Sequence, residues 1–154
     1  MRTDIDQLRA LADATTTEAL IADISRAVQP LGIDYWFYAV DLPLVNDHPN
    51  QLHIGTYPEA WLRRYVEMDY ISIDPIITHC HDHATPMVWN EAQSHHRRIV
   101  DPHLQKIRHL FSEAKEHGLG CGVSVPLHGP GLSWGLMSFA SRETSSTDYD
   151  ALMA

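Results

Sequence analysis

Thr56-Tyr57-Pro58-Glu59-Ala60-Trp61-Leu62-Arg63-Arg64-Tyr65 is the stretch on which the reading of this chain turns. Pro58 suits the first turn of a helix, where its missing backbone N–H costs nothing. Trp61 and Tyr65 stand four residues apart and so share one face of that helix. Downstream, Asp74-Pro75 sets an N-capping carboxylate ahead of a proline and predicts a second helix running to His83. Trp89 closes an extended run that starts at Pro86. A phenol that donates and accepts, an indole N–H that only donates and a carboxylate that only accepts are thereby gathered among large apolar rings. A small molecule with two carbonyls and one amide N–H finds a partner there for each polar group. The stretch points to recognition of an amphipathic small molecule, not to catalysis.

The flanking sequence supplies the rest of the architecture. Thr15-x-x-Glu18 reads as a capping box, and Leu20, Ile24, Val28 and Leu31 recur at helical spacing until Gly32 stops the helix. Ile33 to Leu42 is rich in aromatic and branched residues and reads as a buried strand. A loop over Pro43 to Asn50 leads to a short strand around Gln51 to Thr56, and Asn90 is placed to cap a short helix. From Asp101-Pro102, the residues Leu104, Ile107, Leu110, Phe111 and Ala114 mark an amphipathic helix with a left-handed end at Gly118. Val123, Val125 and Leu127 alternate with Ser124, Pro126 and His128, a strand with one buried face. Gly129-Pro130-Gly131 turns the chain into an antiparallel return over Trp134 to Ser141. This order predicts an α/β (α+β) fold, an antiparallel sheet with helices on both faces. A ligand cavity is expected between the sheet and the helices carrying Trp61, Asp74 and Leu110.

Bulk composition narrows the function classes. The chain has 154 residues, read as one domain over 1–154, with 44% hydrophobic and 20% charged residues. A net charge of −9, with Arg63-Arg64 and Arg97-Arg98 as its short basic runs, argues against this segment gripping nucleic acid. No window is apolar for long enough to span a bilayer, and Met1-Arg2-Thr3-Asp4 lacks the apolar core of a secretory signal. Cys80 and Cys121 form no framework pattern and read as reduced cytoplasmic thiols. His79 and His83 stand one helical turn apart within His79-Cys80-His81-Asp82-His83, a spacing that can chelate a metal. No second cluster with structural-zinc spacing accompanies them, so the run reads as a solvated helix end and no metal site is assigned. Ser124 and Ser138 lack a nucleophile-elbow context, and no phosphate loop or H-E-x-x-H occurs, so no catalytic residue is assigned.

The run Thr56 to Trp61, then Tyr65, Tyr70, Asp74-Pro75, Pro86 and Trp89, resembles the autoinducer-binding domain of LuxR-type quorum-sensing regulators. Glu113-Ala114, Gly118-Leu119, Gly122, Pro126 to Gly129 and Leu136 to Phe139 continue the likeness in order over nearly the whole chain. The resemblance implies an α-β-α sandwich with a central, mainly antiparallel five-stranded sheet holding an N-acyl-homoserine lactone, and no cofactor. Carried over by position, Trp61 would donate to the lactone carbonyl and Asp74 would accept the amide N–H. Tyr57 would donate to the amide carbonyl with Ser138 assisting, while Tyr65 and Trp89 would wall the head group. Ile76, Leu110, Ala114 and Ser124 are expected to complete the pocket, and Gly122 to serve close backbone packing. The first strand of the family helps line the acyl channel. Alternation puts Trp36, Tyr38 and Val40 on one face, and if that face meets the pocket, two rings favour a short, medium or kinked tail.

Members of this family continue into a C-terminal helix-turn-helix that binds promoter DNA. The chain stops at Ala154, where Asp148-Tyr149-Asp150-Ala151-Leu152 reads as the start of a further helix. The expectation is therefore a cytoplasmic sensor domain that homodimerises, meets no membrane and reaches promoter DNA only through that absent domain. Alternatives are a naturally short member that inhibits full-length regulators by heterodimerisation, and a related sensor of a non-lactone signal.

Overall fold

Five strands, β1 (Tyr35–Leu42), β2 (Asn50–Gly55), β3 (Met87–Val88), β4 (Cys121–His128) and β5 (Trp134–Ser141), pair antiparallel in the order β2-β1-β5-β4-β3. The helices are α1 (Thr3–Asp13), α2 (Thr17–Val28), α3 (Glu59–Glu67), α4 (Pro75–Asp82) and α5 (Pro102–Glu116). The computed structural model describes residues 3–42, 50–89, 102–131 and 133–142. The loop after Leu42, the expected cap at Asn90 and the helix start near Asp148 lie outside the described residues.

Local chemistry explains most boundaries. Thr16, one residue later than the expected capping box, accepts from the Ala19 N–H and starts α2. Gly32 closes the following 3-10 turn at φ 76°, a conformation that costs a residue without Cβ nothing. Asp74 caps α4 through Ile76 N–H, with Pro75 behind it. Gly118 ends α5 in the left-handed region, as its position implies.

Both faces of the sheet are covered, so the fold is the expected α-β-α sandwich. Directly paired residues share a face, and Phe37 pairs with Ser138, which pairs with Ser124. That front face meets a core built from Trp61, Tyr70, Ile76, Cys80, Leu104, Ile107, Leu110 and Ala114 of the helical layer. Burial pushes the Cys80 thiol up to about 11 there. On the back face, the indole N–H of Trp36 donates to Ser25 Oγ of α2 at 2.9 Å. The strand over Val123 to His128 is therefore not one-faced: Ser124 and Pro126 are as buried as Val123, and Leu127 is exposed.

Two cross-links fix the front helical layer. Arg64 of α3 chelates the Glu113 carboxylate of α5, with Nε 3.1 Å from each oxygen and a terminal nitrogen 2.8 Å from Oε1. Tyr70 adds a 2.6 Å hydrogen bond to Oε2. These donors hold the Glu113 carboxyl down at about 2. At the other end, Gly122 lies under Trp89: a Cβ there would stand 2.6 Å from the Phe139 carbonyl oxygen and 2.7 Å from the indole ring. We expect Gly122→Ala to push Trp89 off the sheet and to lower unfolding stability by about 1–3 kcal/mol. Urea denaturation checks this, and a midpoint equal to wild type would refute the packing role.

Candidate functional site

A cavity of about 520 Å³ lies between the front face of the sheet and the helical layer. Tyr57, Trp61, Tyr65, Asp74, Trp89 and Ser138, all expected from the sequence, border it. So do Val40, Ile76, Leu110 and Ala114. Three expected residues do not. Trp36 and Tyr38 point to the back face, where the Trp36 indole is engaged by Ser25, so the pocket phase of β1 is Phe37 and Ala39. Ser124 sits behind Ser138 and does not border the cavity.

Trp61 and Tyr65, one turn apart on α3, meet edge to face at 5.7 Å, and Trp61 also packs near Tyr70 and His117. The Trp61 indole N–H has no hydrogen-bond partner among the described residues, which leaves a donor at the cavity wall. Tyr57 follows the tight end of β2. A Cβ on Gly55 would stand 2.4 Å from the Trp36 carbonyl oxygen, and Thr56 exchanges hydrogen bonds with the Trp36 backbone. That clamp lays the Tyr57 ring on Phe37 at 5.0 Å.

Asp74 is 7% exposed and carries the only carboxylate among the buried residues described. Its Oδ1 accepts from Ile76 N–H at 2.9 Å and its Oδ2 from the Tyr65 hydroxyl at 2.7 Å. Two oxygens offer about four acceptor positions, so both retain capacity toward the cavity. Burial raises its pKa to about 6, although the Tyr65 and backbone donors pull the other way. The Tyr65 phenol is pushed far above its ordinary value by burial and by the Asp74 charge, so it stays a donor. Tyr65 thus orients Asp74 as well as walling the cavity. On the sheet side, Trp89 Nε1 donates to Ser124 Oγ at 3.0 Å, and Ser124 Oγ lies 2.7 Å from Ser138 Oγ.

Sequence reasoning missed Phe37, Ala39, Ile77, Phe111, Trp134 and Leu136 as lining residues. Leu136 pairs directly with Ala39, so one correct phase would have placed both. The histidine run serves a local purpose. His79 and His83 stack at 4.6 Å, His79 Nε2 lies 2.7 Å from the Thr85 carbonyl oxygen, and His128 Nε2 lies 3.0 Å from that of His83. These contacts lock the end of α4 to β4. No helix among the described residues is long and apolar enough to cross a membrane.

A family model described as "Autoinducer binding domain" matches residues 16–154. The transcriptional activator AhyR of Aeromonas hydrophila is 27% identical over 144 residues, 94% of this chain and 54% of that protein. The quorum-sensing regulator RhlR of Pseudomonas aeruginosa is 27% identical over 134 residues, 87% of this chain and 52% of that protein. The chain spans about half the length of these curated relatives, 54% and 52%. Among solved structures, the N-acylhomoserine lactone dependent LuxR-family factor CepR2 of Burkholderia cenocepacia superposes with a TM-score of 0.75 at 25% identity, covering 97% of this chain and 83% of that one. SdiA in complex with octanoyl-rac-glycerol gives 0.72 at 25% identity, covering 97% and 59%.

The two perturbed carboxyls limit stability from opposite sides. Stability held by protonated Asp74 is present below the ordinary carboxyl value of 3.8 and is lost as pH rises through about 6. Stability held by ionised Glu113 is present above 4.5 and is lost as pH falls toward about 2. Asp74→Asn keeps a capping oxygen without a buried charge. Ligand-free Asp74→Asn should therefore hold its urea midpoint from about pH 4.5 to about pH 6.5 while wild type declines. Parallel decline of both proteins would show that Asp74 is not the titrating group.

Proposed function

This chain belongs to the autoinducer-binding domain family of LuxR-type quorum-sensing regulators, a family of ligand sensors rather than enzymes, and we propose that its cavity takes an N-acyl-homoserine lactone. The observation that carries this reading is the set of polar groups that the two cavity walls present, two from the helical layer and one from the sheet. The unpartnered Trp61 N–H, the buried Asp74 carboxylate and the Ser138 hydroxyl are a donor, an acceptor and a hydroxyl. A lactone carbonyl, an amide N–H and an amide carbonyl answer them in turn, with Tyr57 beside Ser138 on the amide carbonyl.

Phe37, Ala39, Ile77 and Leu136 offer apolar surface for the acyl tail, which adds about 0.8 kcal/mol for each buried methylene. The basis for expecting a narrowed channel falls with the β1 phase, because β1 presents Phe37, Ala39 and Val40 there, one ring rather than two. In the cell we place the domain in the cytoplasm as part of a homodimeric regulator. Ligand binding would stabilise the fold and control dimerisation, and promoter contact would be made outside the half that its relatives share.

A non-lactone signal is the second reading, because SdiA, of like fold, is seen with octanoyl-rac-glycerol. Such a ligand carries hydroxyls in place of the amide N–H and would leave Asp74 with a different donor. Mass spectrometry of small molecules carried through purification separates the two.

Saturating the protein with a cognate lactone at about 100 times its Kd should add about 2.7 kcal/mol of stability. For a domain of this size that is a melting-temperature rise of about 5–10 °C. Trp61→Phe should weaken binding about 2–10-fold, and Asp74→Asn, which loses a bond to a charged group, about 10–100-fold. Unchanged melting across acyl-homoserine lactones with butanoyl to dodecanoyl tails would overturn the ligand class.

A further inference from the structure

Ser124 is fully buried on β4 and does not border the cavity, yet it touches two residues that do. Its oxygen accepts from the Trp89 indole N–H, a group that can only donate. Its other polar neighbour among the described residues is Ser138 Oγ at 2.7 Å, where either hydroxyl could supply the proton. If Ser138 donated, the Ser124 proton would be buried with no acceptor, a costly arrangement that native interiors avoid. The proton order is therefore Trp89 to Ser124, Ser124 to Ser138, and Ser138 outward to the cavity. Trp89 cannot readily turn away, because its ring rests where a Cβ on Gly122 would be, against the sheet backbone.

We propose that Ser124 is a positioning residue that commits the Ser138 hydroxyl to donate into the cavity, so that the site selects a ligand with a carbonyl oxygen at that point. This rests on the acyl-homoserine lactone reading, in which the oxygen is that of the amide carbonyl. Each link polarises the next, so a proton from Ser138 meets a strong acceptor better than a weak one. A ligand lacking that oxygen leaves the proton stranded in an apolar wall, which is how a polar pocket rejects a near-isostere.

The test uses N-octanoyl-homoserine lactone and its thioamide counterpart, which keeps the N–H and tail but replaces the amide oxygen with weakly accepting sulfur. Titration calorimetry should show Ser124→Ala weakening the octanoyl lactone about 3–10-fold while the thioamide changes less than about twofold. Ser124→Thr, which keeps a hydroxyl, should restore binding. Adding Ser124→Ala to Ser138→Ala should cause no further loss. Equal losses for both probes, or losses that add in the double variant, would overturn the relay and leave Ser124 a packing residue.

If wild type binds neither probe, it is the lactone reading that fails, and the relay is decided without ligand. The Trp89 indole N–H resonance, assigned by its absence in Trp89→Phe, should move upfield and lose exchange protection in Ser124→Ala but not in Ser124→Thr. A resonance indifferent to Ser124→Ala would refute the relay. Ser124→Cys, a weaker acceptor of similar size, replaces Ser124→Ala in both measurements should the alanine variant fail to fold.

Discussion

The buried carboxylate of Asp74 ties together three parts of this fold that could otherwise drift apart. It caps α4, it receives the Tyr65 hydroxyl from α3, and it forms part of the cavity wall beneath the sheet. An ionised group at 7% exposure is costly, and the α4 N-terminus and two donors offset part of that cost. They do not offset all of it, since its pKa still rises to about 6. Burial outweighs the donors present, so the carboxylate has acceptor capacity that a further donor would use. A ligand N–H supplied from the cavity would favour the charged form and return the carboxyl toward its ordinary range. The same imbalance weakens the empty protein and strengthens the filled one.

Elements with local signals were legible in the sequence, and elements defined only by tertiary packing were not. Asp74-Pro75, Pro58 and Gly118 act through their own backbone chemistry, so each marks a helix boundary whatever the surroundings. The phase of β1 carries no such mark. Trp36 and Tyr38 are as apolar as Phe37 and Ala39, and a strand covered on both faces shows no polar side. Only the pairing of Phe37 with Ser138 decides the matter, and pairing is a long-range property. The same limit hid the burial of Ser124. Alternation marked only the valine face as buried, the resemblance alone set Ser124 at the pocket, and Ser124 lies behind Ser138.

Serines at such positions are informative because of what they would otherwise cost. Ser124, Ser138 and Ser141 are all buried on β4 or β5, and a hydroxyl in an apolar core lowers stability unless it is bonded. Ser124 and Ser138 bond to each other and Ser124 accepts from Trp89, a network that requires Gly122 to admit the indole. The helical side is built differently. There Arg64, Tyr70 and Glu113 form a partly exposed clamp that holds α3 against α5 without entering the cavity. The helical layer thus both recognises, through Trp61 and Asp74, and restrains, while the sheet adds the Ser138 hydroxyl.

Size turns that arrangement into a coupling between binding and folding. At about 24 cal/mol per Å³, a dry void of this volume would cost roughly 12 kcal/mol. Whole domains are stable by only about 5–15 kcal/mol. A sealed, dry cavity would cancel that margin, but the exposed Leu52, Val66 and Ile71 at its rim leave this one open to water. Hydration serves Asp74, Trp61 and Ser138, but water gains nothing against Phe37, Ala39 and Leu136. An occupant must be polar at one end and apolar along the rest. A molecule meeting both demands fills the space and satisfies the stranded groups at once, so recognition and stability rise together.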